Sequence, residues 1–127
     1  MCKIFEKNGP PSSENPYLFN GDIVDRGNHS LEVAIVIFGL AAANPNAVYI
    51  NRGNHEDFSV CESYGFIDEI VQKYGAGKFA RIIANLFFEV FSFLPVASVI
   101  DREVLVIHGG ISPAWDLETL NKVDRCK

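Results

Sequence analysis

The sequence predicts an α/β fold, and two observations predict it. Three short apolar segments, 17–19, 47–50 and 104–107, have strand length, and longer helical patterns lie between them. Each of the three also runs directly into a glycine-bearing polar cluster: NGDIVDRG, NRGNHED and HGG. In open α/β sheets, ligands bind where loops leave the carboxyl ends of strands, because those loops converge on a rigid support. The expected architecture is one domain, a β core with flanking helices and polar clusters at its strand ends.

Each element has a local reason. At 127 residues the chain is long enough to bury a core and short enough to be one domain. PPSSENP at 10–16 punctuates the chain and reads as a loop. Tyr17, Leu18 and Phe19 form a first strand that ends at Asn20-Gly21, and loop residues continue to Ser30. Residues 31–43 read as a largely buried helix. Their apolar run is too long for a typical strand and ends in Ala41–Ala43, followed by Asn44-Pro45. Ala47–Ile50 is a second buried strand, ending at Asn51-Arg52-Gly53.

Tyr64–Tyr74 reads as a helix that stops near Gly75 and Gly77. Phe79, Ile82, Ile83, Leu86, Phe87, Val90 and Phe91 then recur at steps of three and four, one wide apolar stripe assigned to packing. Pro95 follows, and 96–100 and 104–107 form a hairpin around Asp101-Arg102. Asp116 caps a last helix over 117–123. There is no internal repeat.

Composition narrows the function classes. A net charge of −5, with Lys and Arg scattered, offers no field to attract nucleic acid. Of the two most apolar stretches, 31–43 is too short to cross a bilayer, and 79–99 is broken by Asn85 and Glu89. No membrane partner is expected, and MCKIFEKNGPPSS has no signal-peptide character. Cys2, Cys61 and Cys126 form no close pair and no metal-ligand spacing, which suits a reducing compartment. The cytoplasm or nucleus is the expected location.

The polar clusters offer a defined chemistry. Asp22 and Asp25 supply carboxylates, Asn54 an amide oxygen, and His55 and His108 imidazoles. Oxygen and nitrogen donors without thiolate suit Mn, Fe or Zn rather than a sulfur-rich structural zinc site. Arg26 and Arg52 suit phosphate oxygens, to which a guanidinium donates two parallel hydrogen bonds.

Gly21-Asp22-Ile23-Val24-Asp25-Arg26-Gly27, then Arg52-Gly53-Asn54-His55-Glu56, then His108-Gly109-Gly110, resemble three successive signatures of the phosphoprotein phosphatase family. These are the metal-dependent serine/threonine phosphatases within the calcineurin-like metallophosphoesterases. The resemblance covers nearly the whole chain from Ile4. Asn20, Asp57 and Tyr64-Gly65-Phe66 look most like the branch that carries EF-hands, with the tetratricopeptide-repeat branch as nearest competitor. The implied fold is a partial calcineurin-like one, two β sheets flanked by helices.

The resemblance also implies roles for single residues. Asp22 would bridge two divalent or trivalent metal ions, Mn, Fe or Zn, and Asn54 and His108 would ligate the second. His55, oriented by Asp25, would be the general acid, since imidazole titrates near neutrality. Arg26 would hold the phosphoryl oxygens. The nucleophile would be hydroxide activated by ions roughly 4 Å apart, attacking in line with no phosphoenzyme. Phosphoproteins are the implied substrates, with a regulatory subunit or calcium-sensing module as further partner.

Two family features are absent from this sequence. The G-D-x-H-G segment does not precede residues 10–16, and the later histidine and second phosphate-binding arginine do not follow Gly110. The expectation is a catalytic domain truncated at both ends. The alternative to an active enzyme is a catalytically inactive phosphatase-like protein that serves as a binding or regulatory module. A metallophosphoesterase acting on nucleotides ranks third, because it shares G-D and G-N-H but not the V-D-R-G and E-D context. Other residues read as structural: His29 as a surface loop residue, Arg52 as a partner for a nearby carboxylate, Glu56 as ordering a loop or a ligand. Nothing near Cys61 argues for a nucleophile.

Overall fold

Two short sheets and the helices packed around them make up the computed structural model, which describes residues 1–110 and 112–125. Cys126, one of the three cysteines, lies outside the described residues. Strand β1 (Tyr17–Asn20) pairs in parallel with β2 (Val48–Asn51), and β3 (Ala97–Ile100) pairs antiparallel with β4 (Val104–Ile107). The helices are α1 (Cys2–Asn8), α2 (Ser30–Ala43), α3 (Phe58–Tyr64), α4 (Phe66–Tyr74), α5 (Lys78–Phe93) and α6 (Leu117–Asn121).

The parallel pair needs a crossover, and α2 supplies it. Register sets Tyr17 opposite Val48 and Asn20 opposite Asn51, so both strands end at the same level. The two sheets are joined by amides at that level. Asn51, fully buried, donates to Asn20 Oδ1 at 2.9 Å and to the Val106 carbonyl at 3.1 Å, and accepts from Ser98 Oγ at 2.7 Å. Asn20 donates in turn to the Ile107 carbonyl at 2.9 Å. These bonds bring all three strand ends that precede the polar clusters to one place.

The hairpin turns at Asp101 and Arg102, both left-handed at φ 53° and 61°. Positive φ at both central residues matches the twist of the flanking strands. Helix α6 begins where expected: the Asp116 side chain accepts from Thr119 N at 2.7 Å.

Besides β3 starting at Ala97 and α6 ending at Asn121, four details differ from the sequence reading. Helix α1 falls where no element was expected; it buries none of its residues, so it carries no amphipathic signal. The second strand runs one residue later, from Val48 to Asn51, because Ala47 spends its N–H on the Asn44 carbonyl in the preceding turn. The helix expected from Tyr64 to Tyr74 is two helices, α3 and α4, separated at Gly65. Asp57 starts α3 by accepting from Ser59 N at 3.0 Å.

The fourth difference concerns α5. Its buried side is Ala80, Ala84 and Phe91, with Ile83, Phe87 and Phe88 packed against it. Phe79, Ile82, Leu86 and Val90, read as packing residues, are exposed. The helix is apolar around most of its circumference, so periodicity alone does not choose the inward side. Small alanines do, by letting α4 and α5 approach closely. Helix α2 is likewise buried on one side only, through Leu31, Ala34 and Ile37, while Ile35 and Val36 face solvent.

Helix α2 also lacks a side-chain cap of its own, since His29 at its N-cap makes no such bond. The buried Glu69 of α4 replaces it, accepting from Ser30 N and Leu31 N at 2.9 Å each and from Lys73 Nζ at 2.7 Å. Lys73 reaches on to Glu32 at 2.6 Å. Burial opposes ionisation of Glu69, but the Lys73 hydrogen bond and the Leu31 and Ser30 amides outweigh it and hold the carboxyl below its ordinary 4.5. A lowered folded-state pKa contributes stability that is complete above the unfolded value and is lost as pH falls through the folded one. Glu69→Gln should therefore lower stability at neutral pH by about 1–3 kcal/mol. Its deficit relative to the parent should shrink on acidification below 4.5. Denaturant titrations at neutral and acid pH measure both effects.

Candidate active site

The loop after β1 is held in a conformation that most residues avoid. Gly21, Asp22, Asp25 and Arg26 all have positive φ, at 78°, 55°, 73° and 58°. Each such non-glycine residue costs about 1–3 kcal/mol and persists only when its surroundings impose it. Glu56 is what imposes it at Asp22. Its fully buried carboxylate accepts from Asp22 N at 2.8 Å, Ile23 N at 2.8 Å and Gly53 N at 2.7 Å. The loops after β1 and β2 touch through backbone at this point. A Cβ on Gly21 would collide with Gly53 N and Cα, and one on Gly53 with Asp22 N and Glu56 Oε2. Only glycine allows that approach.

His55 and Asp25 form a buried pair. His55 Nδ1 donates to Asp25 Oδ2 at 2.7 Å, and the two side chains are 3% and 0% exposed. The other Asp25 oxygen accepts from Phe66 N at 2.9 Å, at the start of α4. Arg26 Nη2 donates to His55 Nε2 at 3.0 Å. A carboxylate can only accept and a guanidinium can only donate, so the partners fix the imidazole as the neutral Nδ1–H tautomer.

Asp22, Asn54 and His108 meet beside this pair. His108 Nδ1 donates to the Asn20 carbonyl at 2.5 Å, which turns Nε2 toward Asp22 and Asn54. Nε2 lies 3.2 Å from Asp22 Oδ1 and 3.1 Å from Asn54 Oδ1. Asp22 Oδ1 also accepts from His55 N at 3.2 Å. Two oxygens and a ring nitrogen thus converge on one point, where either a proton on Nε2 or a cation satisfies them. Among the described residues, no three His, Cys, Asp or Glu side chains converge, and here the Asn54 amide is the third donor. A carboxylate, an amide oxygen and an imidazole fit part of the coordination set of Mn, Fe or Zn.

The remaining candidates sort by contact. Arg52 donates from Nε to the Glu56 carbonyl at 2.9 Å and places Nη2 3.8 Å from the Asp57 carboxylate, the structural role expected of it. It also borders an open cleft of about 580 Å³, whose lining includes Asn54, His108, Val96, Ile107 and Trp115. His29 is a surface residue, its side chain 83% exposed. Cys61 is fully buried and donates to the His55 carbonyl at 3.1 Å. Burial, reinforced by the Asp25 charge, pushes its thiol up to about 12, so no thiolate forms at neutral pH.

Two participants had no signal that assigned them a role. The Phe66 backbone amide holds Asp25, and backbone contacts leave no mark in sequence. Tyr64, whose ring lies 5.0 Å from that of His55, stood out only as part of Tyr64-Gly65-Phe66.

Comparison with known proteins places this geometry. The family model described as calcineurin-like phosphoesterase matches residues 2–127. The chain is 49% identical over 127 residues to mouse serine/threonine-protein phosphatase with EF-hands 1, covering all of this chain and 19% of that protein. It is 48% identical over 127 residues to Drosophila melanogaster serine/threonine-protein phosphatase rdgC, again covering 19% of the relative. A solved protein serine/threonine phosphatase from Saccharomyces cerevisiae, described as similar to human phosphatase PP5, superposes with a TM-score of 0.90 at 39% identity. That superposition covers 99% of this chain and 39% of the yeast chain. The chain thus spans about a fifth of the length of the curated relatives it matches. With GDIVDRG, RGNHE and HGG meeting at three strand ends and a family model matched almost from end to end, the chain belongs to the calcineurin-like phosphoesterase family.

Proposed function

We propose that this chain supplies part of the machinery for hydrolysing phosphoserine and phosphothreonine in proteins. The observation that carries the reading is the order Asp25–His55–Arg26, set beside the converging donors of Asp22, Asn54 and His108. The names of the relatives, serine/threonine-protein phosphatases, support the substrate class.

Each residue then has a task. Arg26 is exposed and offers its guanidinium to phosphoryl oxygens, where two parallel N–H donors fit the anion. As Arg26 turns toward phosphate, His55 Nε2 is released to take up a proton from solvent and pass it to the departing serine or threonine oxygen. Asp25 keeps Nδ1–H engaged and stabilises the charged ring, as a buried carboxylate behind a catalytic imidazole does. Asp22, Asn54 and His108 would hold metal ions, Mn, Fe or Zn, two of them in the complete site. Those ions, when bound, lower the pKa of water and stabilise charge on phosphoryl oxygens. The cleft beside Arg52 and His108 gives room for residues flanking the phosphate. The EF-hands in the relatives' names support a calcium-sensing module in the longer protein.

Phosphopeptide hydrolysis by the natural protein under Mn titration tests the reading. His55→Gln should lower kcat about 10²–10⁴-fold while metal binding is kept. Binding of metal and phosphopeptide without turnover would instead support the binding-module alternative.

Glu56→Gln replaces an acceptor with an N–H donor facing backbone amides. It should weaken Mn binding about 10–100-fold, because Asp22 loses its support. Calorimetric titration reads the affinity; wild-type binding by this variant would remove Glu56 from the site.

A further inference from the structure

The Tyr64 side chain has no part in the chemistry above, yet it touches both groups that perform it. Its ring meets the His55 ring edge to face, with centroids 5.0 Å apart and planes at 74°. The Arg26 guanidinium carbon lies 5.6 Å from the Tyr64 centroid, within cation–π range. The Tyr64 carbonyl also accepts from Arg26 N at 3.4 Å, so backbone and ring both bear on the same arginine. Tyr64 is the last residue of α3, where Gly65 turns the chain, at φ 111°, into the amide that holds Asp25. Its place is therefore fixed from both sides.

Among the described residues Arg26 forms no ion pair. That matters for an arginine that must bind an anion. A carboxylate partner would hold the guanidinium but neutralise it. An aromatic face holds it and leaves every N–H and the full charge available. The arginine side chain also has rotamer entropy to lose, and a neighbouring ring narrows its range before the anion arrives.

We infer that Tyr64 is a positioning residue for phosphate binding: its ring confines the Arg26 guanidinium to the arc between His55 Nε2 and the phosphoryl group without neutralising it. The inference rests on the reading of Arg26 as the phosphate-holding residue.

The test is calorimetric binding of inorganic phosphate to the natural protein, the parent compared with Tyr64→Phe, Tyr64→Leu, Arg26→Ala and the Arg26→Ala/Tyr64→Leu pair. Tyr64→Phe keeps the ring and should bind within about twofold of the parent. Tyr64→Leu should weaken binding roughly fivefold, the scale of a half-exposed cation–π contact. The double variant should bind no more weakly than Arg26→Ala alone, because the ring acts through the guanidinium. Imidazole ¹⁵N spectra give a ligand-free readout: Tyr64→Leu should shift the His55 Nε2 signal more in the parent than in Arg26→Ala, where only the direct ring contact is lost, and Tyr64→Phe should not shift it. Parental affinity in Tyr64→Leu, an additive loss in the double variant, or an Nε2 shift no larger in the parent than in Arg26→Ala would overturn the role of Tyr64. Parental affinity in Arg26→Ala is a different result, which would overturn the reading of Arg26 beneath it.

Discussion

The site depends on one buried carboxylate. Glu56 receives three backbone N–H groups from two loops, and those loops would otherwise have little reason to meet. Hydrogen bonds to a charged group contribute about 1.5–3 kcal/mol each, so three together outweigh the cost of the left-handed Asp22 they enforce. The contact needs Gly21 and Gly53 because backbone lies against backbone there. Glycine alone would leave the loops free to separate, and the carboxylate alone would find no room. With both, Asp22 is pinned where one oxygen reaches the His55 amide and the His108 ring.

The same device recurs. Glu69 joins α4 to the start of α2 through the Ser30 and Leu31 amides, and Asp25 joins the first loop to the start of α4 through Phe66 N. Among the described residues each sheet has two strands, so regular ladders satisfy few of the backbone groups between elements. Buried carboxylates take over, each tying two segments that are distant in sequence. Asn51 does the equivalent with a neutral amide, bonding both sheets at once. No side-chain polar atom among the described residues is left buried without a partner. A buried charge is tolerated in this way because backbone dipoles replace the water it lost.

What was legible in the sequence follows from this. The strands and their glycine-bearing exits were visible because apolar runs ending in Asn-Gly or Arg-Gly have few other meanings. The meeting of Asp22, Asn54 and His108 was implied by the family resemblance alone, since no spacing rule places residues 22, 54 and 108 together. Glu56 could be read as ordering a loop, but its three amide partners are backbone and carry no residue identity. Helix α1 was silent because it buries nothing. On α5 the apolar pattern was so broad that Phe79 and Leu86 looked as internal as Phe91. Side-chain size, read from Ala80 and Ala84, marks the inward face there better than hydropathy does.

The distribution of exposure gives the proposed reaction its internal logic. The pair proposed to handle the proton is enclosed: the His55 and Asp25 side chains are buried and bonded on both sides. The groups that would meet ligands are more open, with His108 and Asp22 side chains 23% and 35% exposed and Arg26 at the surface. Arg26 joins these two sets because it donates to the nitrogen that would bear the proton in the proposed reaction. While that bond persists, His55 Nε2 is held in its unprotonated, accepting state. A phosphoryl group competes for the same guanidinium with a full negative charge against a neutral nitrogen, and charge-assisted bonds are the stronger. In the proposed reaction, arrival of the anion would free the acid position when a leaving group is present to use it. The order of events would then follow from which acceptor the arginine prefers.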